Sequence, residues 1–244
     1  MVKRTAGSAL ADRPEVKNGK STKPVDTNEI PAASTRRSVM EIVRDLSPRP
    51  IRYRVVCKGI TPLLMDPMDD ETLEKMQTGA KTDLAAKKAT SMKDQAAKKV
   101  YRDPNGKIAL PAGNLYASLN NAGRLIQYDN KRKIATGDSS LLYTFMRIEE
   151  QWIPLSGSQE WRADRRRGVL KATGAAVPII RPLFSDWGFE VNITVDDKAP
   201  IKIDTILKMF QDAGTASGLG SFRPECKGPF GQFQVVECEE LSMG

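Results

Sequence analysis

Not one histidine occurs among the 244 residues of this chain. Its absence removes Ser–His and Cys–His catalysis, His-ligated zinc and the commonest general base of enzymes together. Cysteine is nearly as scarce: Cys57, Cys226 and Cys238 are odd in number and lack a CxxC pair or zinc-type spacing, the pattern of reduced thiols in a cytosolic protein. Aromatic residues make up 6% of the chain, so most of them must serve the core. No run approaches the roughly 18 apolar residues of a membrane span, and the N-terminus lacks the apolar segment of a signal peptide. A soluble, cytoplasmic protein with no membrane partner is therefore expected. Neither nucleotide fingerprint is present, because the one glycine-rich stretch leaves a helical pattern and enters the last strand pattern. No cofactor and no metal is expected.

Basic residues, by contrast, are plentiful. Lys and Arg number 38 against 30 Asp and Glu, a formal charge of +8, which favours a polyanionic partner. The length suits one substantial core with appended arms. Residues 1–49 are rich in Lys, Arg, Ser, Thr, Pro and Ala with apolar residues scattered singly, and read as a disordered basic arm. Within it, Ser38 and Glu41 form a capping-box pattern ahead of Val39, Ile42, Val43 and Leu46, which predicts a short helix over 38–46. That helix fits docking on a neighbouring subunit or packing on its own domain.

The remainder, 50–240, reads as a single domain. Ile51 to Gly59 alternates Tyr53, Val55 and Cys57 with Arg52, Arg54 and Lys58, a strand with one buried and one basic face. Thr61 to Pro67 leaves it as an apolar loop, and Asp69-Asp70-Glu71 starts a helix. Lys81 to Arg102 has helical spacing with a thin apolar stripe and a surface of Lys87, Lys88, Lys93, Lys98 and Lys99. Pro111 opens a helix that buries Leu115, Leu119, Ala122 and Ile126. Leu141 to Trp152 reads as a strand, and Phe189 to Val195 alternates as one throughout. Between them lies a long segment containing Arg162, Arg165, Arg166, Arg167 and Lys171 beside Trp161. Asp204 caps a helix burying Ile206, Leu207, Phe210 and Ala213, and Gln232 to Val236 is the final strand. Strand, helix, strand, strand, helix, strand is the ferredoxin-like (βαββαβ) order of an α+β domain. It carries a Lys-rich helical insertion at 66–107 and a thumb-like basic insertion at 153–187.

Between the last helix and the last strand lies Ala213 to Val235, with Gly214, Gly218, Gly220, Gly228 and Gly231 and the cations Arg223 and Lys227. This stretch in this position resembles the RAMP superfamily of RNA-binding proteins, whose best-known members are backbone subunits of CRISPR effector complexes. The likeness covers roughly Arg52 to Glu237 and rests mainly on Gly214 to Phe233. It is supported by Lys58-Gly-Ile-Thr-Pro-Leu-Leu-Met65 and Arg181-Pro-Leu-Phe-Ser-Asp-Trp187. The same three segments are similar to a family of uncharacterised phage and prophage proteins, which implies a phage-encoded protein. The RAMP resemblance implies that the glycine loop approaches an RNA backbone, placing Gly218, Gly220, Arg223 and Lys227 near phosphates. It also implies that the middle segment is a projecting thumb carrying Arg162, Arg165, Arg166 and Arg167. Some RAMP subunits cleave RNA with a loop aspartate, which makes Asp66 and Asp69 candidates for metal-dependent chemistry.

Three readings follow. The first is a non-catalytic binder of single-stranded RNA or DNA that self-associates along the strand. Its phosphate contacts would come from Arg52, Arg54, Lys58, Lys87, Lys88, the thumb cations with Lys171, and the glycine loop. Phe222 and Phe230, flanking that loop, would either stack on bases or anchor the loop to the core. The second is a ribonuclease using Asp66 or Asp69, whose carboxylates are equally explained by a helix N-terminus. The third is a phage structural or host-interaction module.

Overall fold

In the computed structural model, residues 38–47, 49–68, 73–74, 77–79, 90–129, 131–169 and 174–242 are described. Two units separate between Leu46 and Ser47. In the first, helix α1 (Val39–Leu46) opens with the capping box. Glu41 N donates to Ser38 Oγ at 3.2 Å, and Ser38 N donates to the Glu41 carboxylate at 2.8 Å. Two N–H groups that a helix start leaves orphaned are thereby satisfied. The rest of the arm, residues 1–37, lies outside the described residues.

The second unit contains, in chain order, β1 (Pro50–Gly59), β2 (Leu63–Leu64), α2 (Met92–Ala97), β3 (Ala109–Pro111), α3 (Ala112–Gly123), β4 (Gln127–Asp129), β5 (Arg132–Lys133) and α4 (Leu142–Phe145). There follow β6 (Met146–Ile148), β7 (Trp152–Ser156), β8 (Arg162–Val169), β9 (Ala176–Phe184), β10 (Gly188–Asp196), α5 (Ile203–Asp212) and β11 (Phe233–Leu241). The main sheet runs β11-β1-β10-β7-β3, with β6 pairing a second part of β10, and every pairing is antiparallel. Strand alternation decides its faces. Val55 and Cys57 point inward opposite Val191 and Phe189 of β10, and all four are buried. Helices α3 and α5 supply the other layer: Leu115, Leu119, Ile206, Met209 and Phe210 are buried in one core with these strand residues. Each such side chain contributes roughly 1.5–3 kcal/mol by leaving water. The class is α+β.

A smaller sheet, β2-β9-β8, stands beside the first. Its register pairs Arg162 with Leu183 and Val169 with Ala176, so the arginine-rich segment is one arm of a long antiparallel hairpin. Helix α2 packs against both of its strands.

Several elements depart from the sequence reading. The stretch 141–152 is not one strand: α4 interrupts it, burying Leu142 and Phe145 in the core before β6 begins. Pro111 ends β3 and is the residue before α3, so its fixed φ serves the strand exit. Lys202 occupies the N-cap of α5 without a side-chain bond, and Asp204 sits in the first turn, where its charge favours the helix dipole. The loop after β1 contains β2, and residues 153–156 of the long middle segment belong to the main sheet. The helical pattern at 81–102 is helical over Met92–Ala97, while 81–89 lie outside the described residues.

Candidate nucleic-acid interface

Three sequence segments distant in the chain converge around β2. Trp187 Nε1 donates to the Thr61 carbonyl at 2.8 Å, and Gln232 N donates to Thr61 Oγ1 at 3.0 Å. Gly231 N reaches Pro62 O at 2.8 Å, and Ser221 N reaches Leu64 O at 2.7 Å. The strand exit at 61–65, the segment ending at Trp187 and the glycine loop therefore form one hydrogen-bonded body.

Close backbone approach explains the glycines of the loop. After α5 a π-helical turn, Ala213–Ser217, delivers the chain to Gly218. A Cβ on Gly220 would lie 2.3 Å from Leu64 O, and one on Gly231 would lie 1.8 Å from Leu219 O; both residues have φ above +70°. Only glycine fits either position. Arg223 folds back onto the same loop, donating from Nη1 to Gly220 O at 3.0 Å and from Nη2 to Glu225 at 2.7 Å. Lys227 stands exposed with no ion pair among the described residues.

The basic hairpin lies against this loop. Leu183 of β9 shares a buried cluster with Leu64 and Phe230, and the Arg166 guanidinium sits over the Phe230 ring, 4.5 Å from its centroid. Arg166 also holds Asp164, Nε to Oδ2 at 2.6 Å. Alternation places Arg162, Asp164 and Arg166 on the loop side of the hairpin and Arg165 and Arg167 on the other. Arg162, Arg165 and Arg167 are exposed and carry no ion pair among the described residues. Helix α2, packed on both strands of the hairpin, presents an exposed Lys93. Trp161 is half-buried and packs on the main core.

The outer face of the main sheet has a different character. Arg52 makes a two-pronged pair with Glu149, Nε–Oε1 at 2.7 Å and Nη2–Oε2 at 2.5 Å, and Thr194 Oγ1 donates to the same carboxylate. The pair holds the Arg52 guanidinium charged and keeps the Glu149 carboxyl below the usual glutamate range, chiefly through the Arg52 hydrogen bond. Arg54 lies among Glu237 at 2.8 Å, Glu239 at 3.5 Å and Glu190 at 3.6 Å. Cross-strand glutamates thus occupy the arginines that alternation alone assigned to phosphates. Lys58, at the end of β1, stays exposed. The outward positions of the two central strands, Arg52, Arg54, Val56 and Lys58 with Glu190, Asn192 and Thr194, include no aromatic ring on which a base could stack.

Asp66 lines a cleft of about 200 Å³ with Tyr101, Asn114, Gly220, Ser221 and Arg223. Its two oxygens are already engaged: Oδ2 by Arg181 Nε at 2.6 Å and Oδ1 by Lys99 Nζ at 2.7 Å. The two cations already balance the charge of this carboxylate, which makes it a counter-charge within the protein. Among the described residues no group of three or more acidic or thiol side chains could hold one. The clamp was invisible in sequence because its partners lie 33 and 115 residues from Asp66. Glu149 and Glu190 escaped for the same reason, since register across a sheet is not written locally. Asp69, Lys87, Lys88 and Lys171 lie outside the described residues. The cysteines are free thiols, and burial pushes the Cys57 thiol upward. No described helix is long and apolar enough to cross a membrane.

No family model matches the chain. No curated protein matches it. Among solved structures it is similar to one described as the cryo-EM structure of the Type III-B Cmr-beta bound to cognate target RNA, with a TM-score of 0.45 and 13% sequence identity. The match covers 83% of this chain, which spans 64% of the length of that one.

Proposed function

We propose that this protein binds single-stranded nucleic acid without catalysis, gripping the phosphate backbone with the β8–β9 hairpin and the glycine loop. One observation carries the reading. The hairpin is pinned to the loop through Arg166, Phe230 and Leu183, so the cations without ion pairs form a basic ridge with two faces, Arg162 on the side of the loop that carries Lys227 and Arg165 and Arg167 on the other. Such cations gain affinity by displacing counterions from phosphates, whatever the base sequence. Arg166 acts within the ridge as the tie that holds it together. Arg52 and Arg54, occupied by glutamates, fall outside the phosphate path, and Asp66 holds Lys99 and Arg181 in place of a metal.

The order β11-β1-β10 followed by β6 and β7, with α3 and α5 on one face, supports a ferredoxin-like, RAMP-like domain. In that reading the β8–β9 hairpin is the thumb and residues 66–107 are the helical insertion. Copies assemble side by side along the strand in the cytoplasm, RNA or DNA being the polymer they follow. Filter binding of single-stranded RNA and DNA at low salt tests the proposal. Retention that falls steeply with added salt supports it, and no retention of either polymer refutes it.

A further inference from the structure

Phe222 and Phe230 flank the glycine loop symmetrically in sequence, and the structure gives them opposite surroundings. Phe230 is 7% exposed, enclosed by Leu64 and Leu183 with Arg166 over its ring. It is the anchor. Phe222 is 42% exposed, its ring tilted 38° to that of Phe230 with centroids 6.2 Å apart. An open phenyl ring is unusual in a chain with so few aromatics, and its backbone makes it more so. Phe222 has φ +56°, a left-handed conformation that a bulky side chain adopts at a steric cost. The loop enforces it: Phe230 N donates to Phe222 O at 3.3 Å, and the bare α-carbon of Gly228 makes room for that same carbonyl. A strained backbone therefore presents a ring supported by Phe230 and partly open to solvent. Lys227, exposed and also left-handed at φ +60°, stands on the same loop.

We infer that Phe222 is a stacking platform for an unpaired nucleobase, with Lys227 positioned for the adjoining phosphate. The inference rests on the reading of the protein as a single-strand binder. A phenyl ring has no donor or acceptor, so it accepts the π-face of any base and confers little sequence preference. It would add a contribution from bases to the phosphate affinity of the ridge. The outer sheet face, which lacks rings on its central strands, offers no such platform.

Fluorescence anisotropy with two strands of equal length, an oligothymidylate and its abasic counterpart, tests this. Wild type should bind the base-bearing strand about tenfold more tightly. Phe222→Gly, which keeps the left-handed backbone, and Phe222→Leu, which keeps an apolar side chain, should each bind both strands at the abasic level. Phe222→Trp should retain the preference, and thermal melts of all three variants confirm folding. A base preference that survives Phe222→Gly and Phe222→Leu overturns the inference, as does equal wild-type binding of the two strands, which leaves the phosphate-binding reading standing. Failure of wild type to bind either strand overturns both.

Discussion

The guanidinium of Arg166 lies 4.5 Å from the centroid of Phe230 and holds Asp164 at 2.6 Å. One side chain therefore joins the arginine-rich hairpin to the glycine loop, and its charge is already balanced within the protein. A residue in that position ties the hairpin to the loop and offers no unbalanced charge to a ligand.

Arg166→Ala should accordingly lower stability by about 1 kcal/mol, the sum expected of a cation–π contact and a surface ion pair. Urea denaturation of Arg166→Ala, Phe230→Leu and the double variant should give a coupling energy of about 0.5–1 kcal/mol. Additive effects would show that the contact contributes nothing.

Close approach in the glycine loop makes a second prediction. Gly231→Ala places a Cβ against Leu219 O at a residue with φ +71°, and should cost more than about 2 kcal/mol from left-handed strain and overlap together. A melting temperature equal to that of wild type would mean that the loop relaxes freely.

Asp66 should behave as a structural counter-charge. Asp66→Ala leaves Arg181, only 13% exposed, and Lys99 without their shared partner. A loss of roughly 2–4 kcal/mol is expected, somewhat below that of a fully buried pair because the site is partly solvated. Millimolar Mg²⁺ or Mn²⁺ should neither shift the wild-type melting temperature nor produce cleavage of RNA. Metal-dependent cleavage abolished by Asp66→Ala would contradict this account.

Acid sensitivity follows from the Arg52–Glu149 pair. Arg52 hydrogen bonding holds the folded Glu149 pKa below its unfolded value of about 4.3. The pair's contribution is therefore fully present above that value and is lost as pH falls through the lower folded pKa. The stability difference between wild type and Glu149→Gln should be constant near neutrality and shrink as pH falls below about 4. A carboxyl titration by NMR at or above the ordinary glutamate value would refute it.

What sequence revealed here divides along a physical line. Alternation exposed β1 and β10, and helical spacing exposed α3 and α5, because each pattern records the burial of one face. The capping box of Ser38 and Glu41 was legible because its partners are three residues apart. Pairing across distance was not: the glutamates that occupy Arg52 and Arg54 depend on strand register, and the Asp66 clamp depends on three separate elements. Phe222 and Phe230 looked equivalent until the path of the loop separated anchor from open ring. Helix α4 stayed hidden inside a strand-like apolar run, since a four-residue helix is too short to display its own period.

The central claim is that the basic ridge, and not the sheet face, meets phosphate. Its most direct test is the salt dependence of single-strand affinity for wild type, the triple variant Arg162→Ala, Arg165→Ala and Arg167→Ala, and the double variant Arg52→Ala and Arg54→Ala. Each lost phosphate contact should reduce the log–log salt slope by about 0.7, so the triple variant should lose about 2 units of slope together with most of its low-salt affinity. The double variant should keep the wild-type slope. A triple variant with unchanged slope, or a double variant that loses it, would contradict the account.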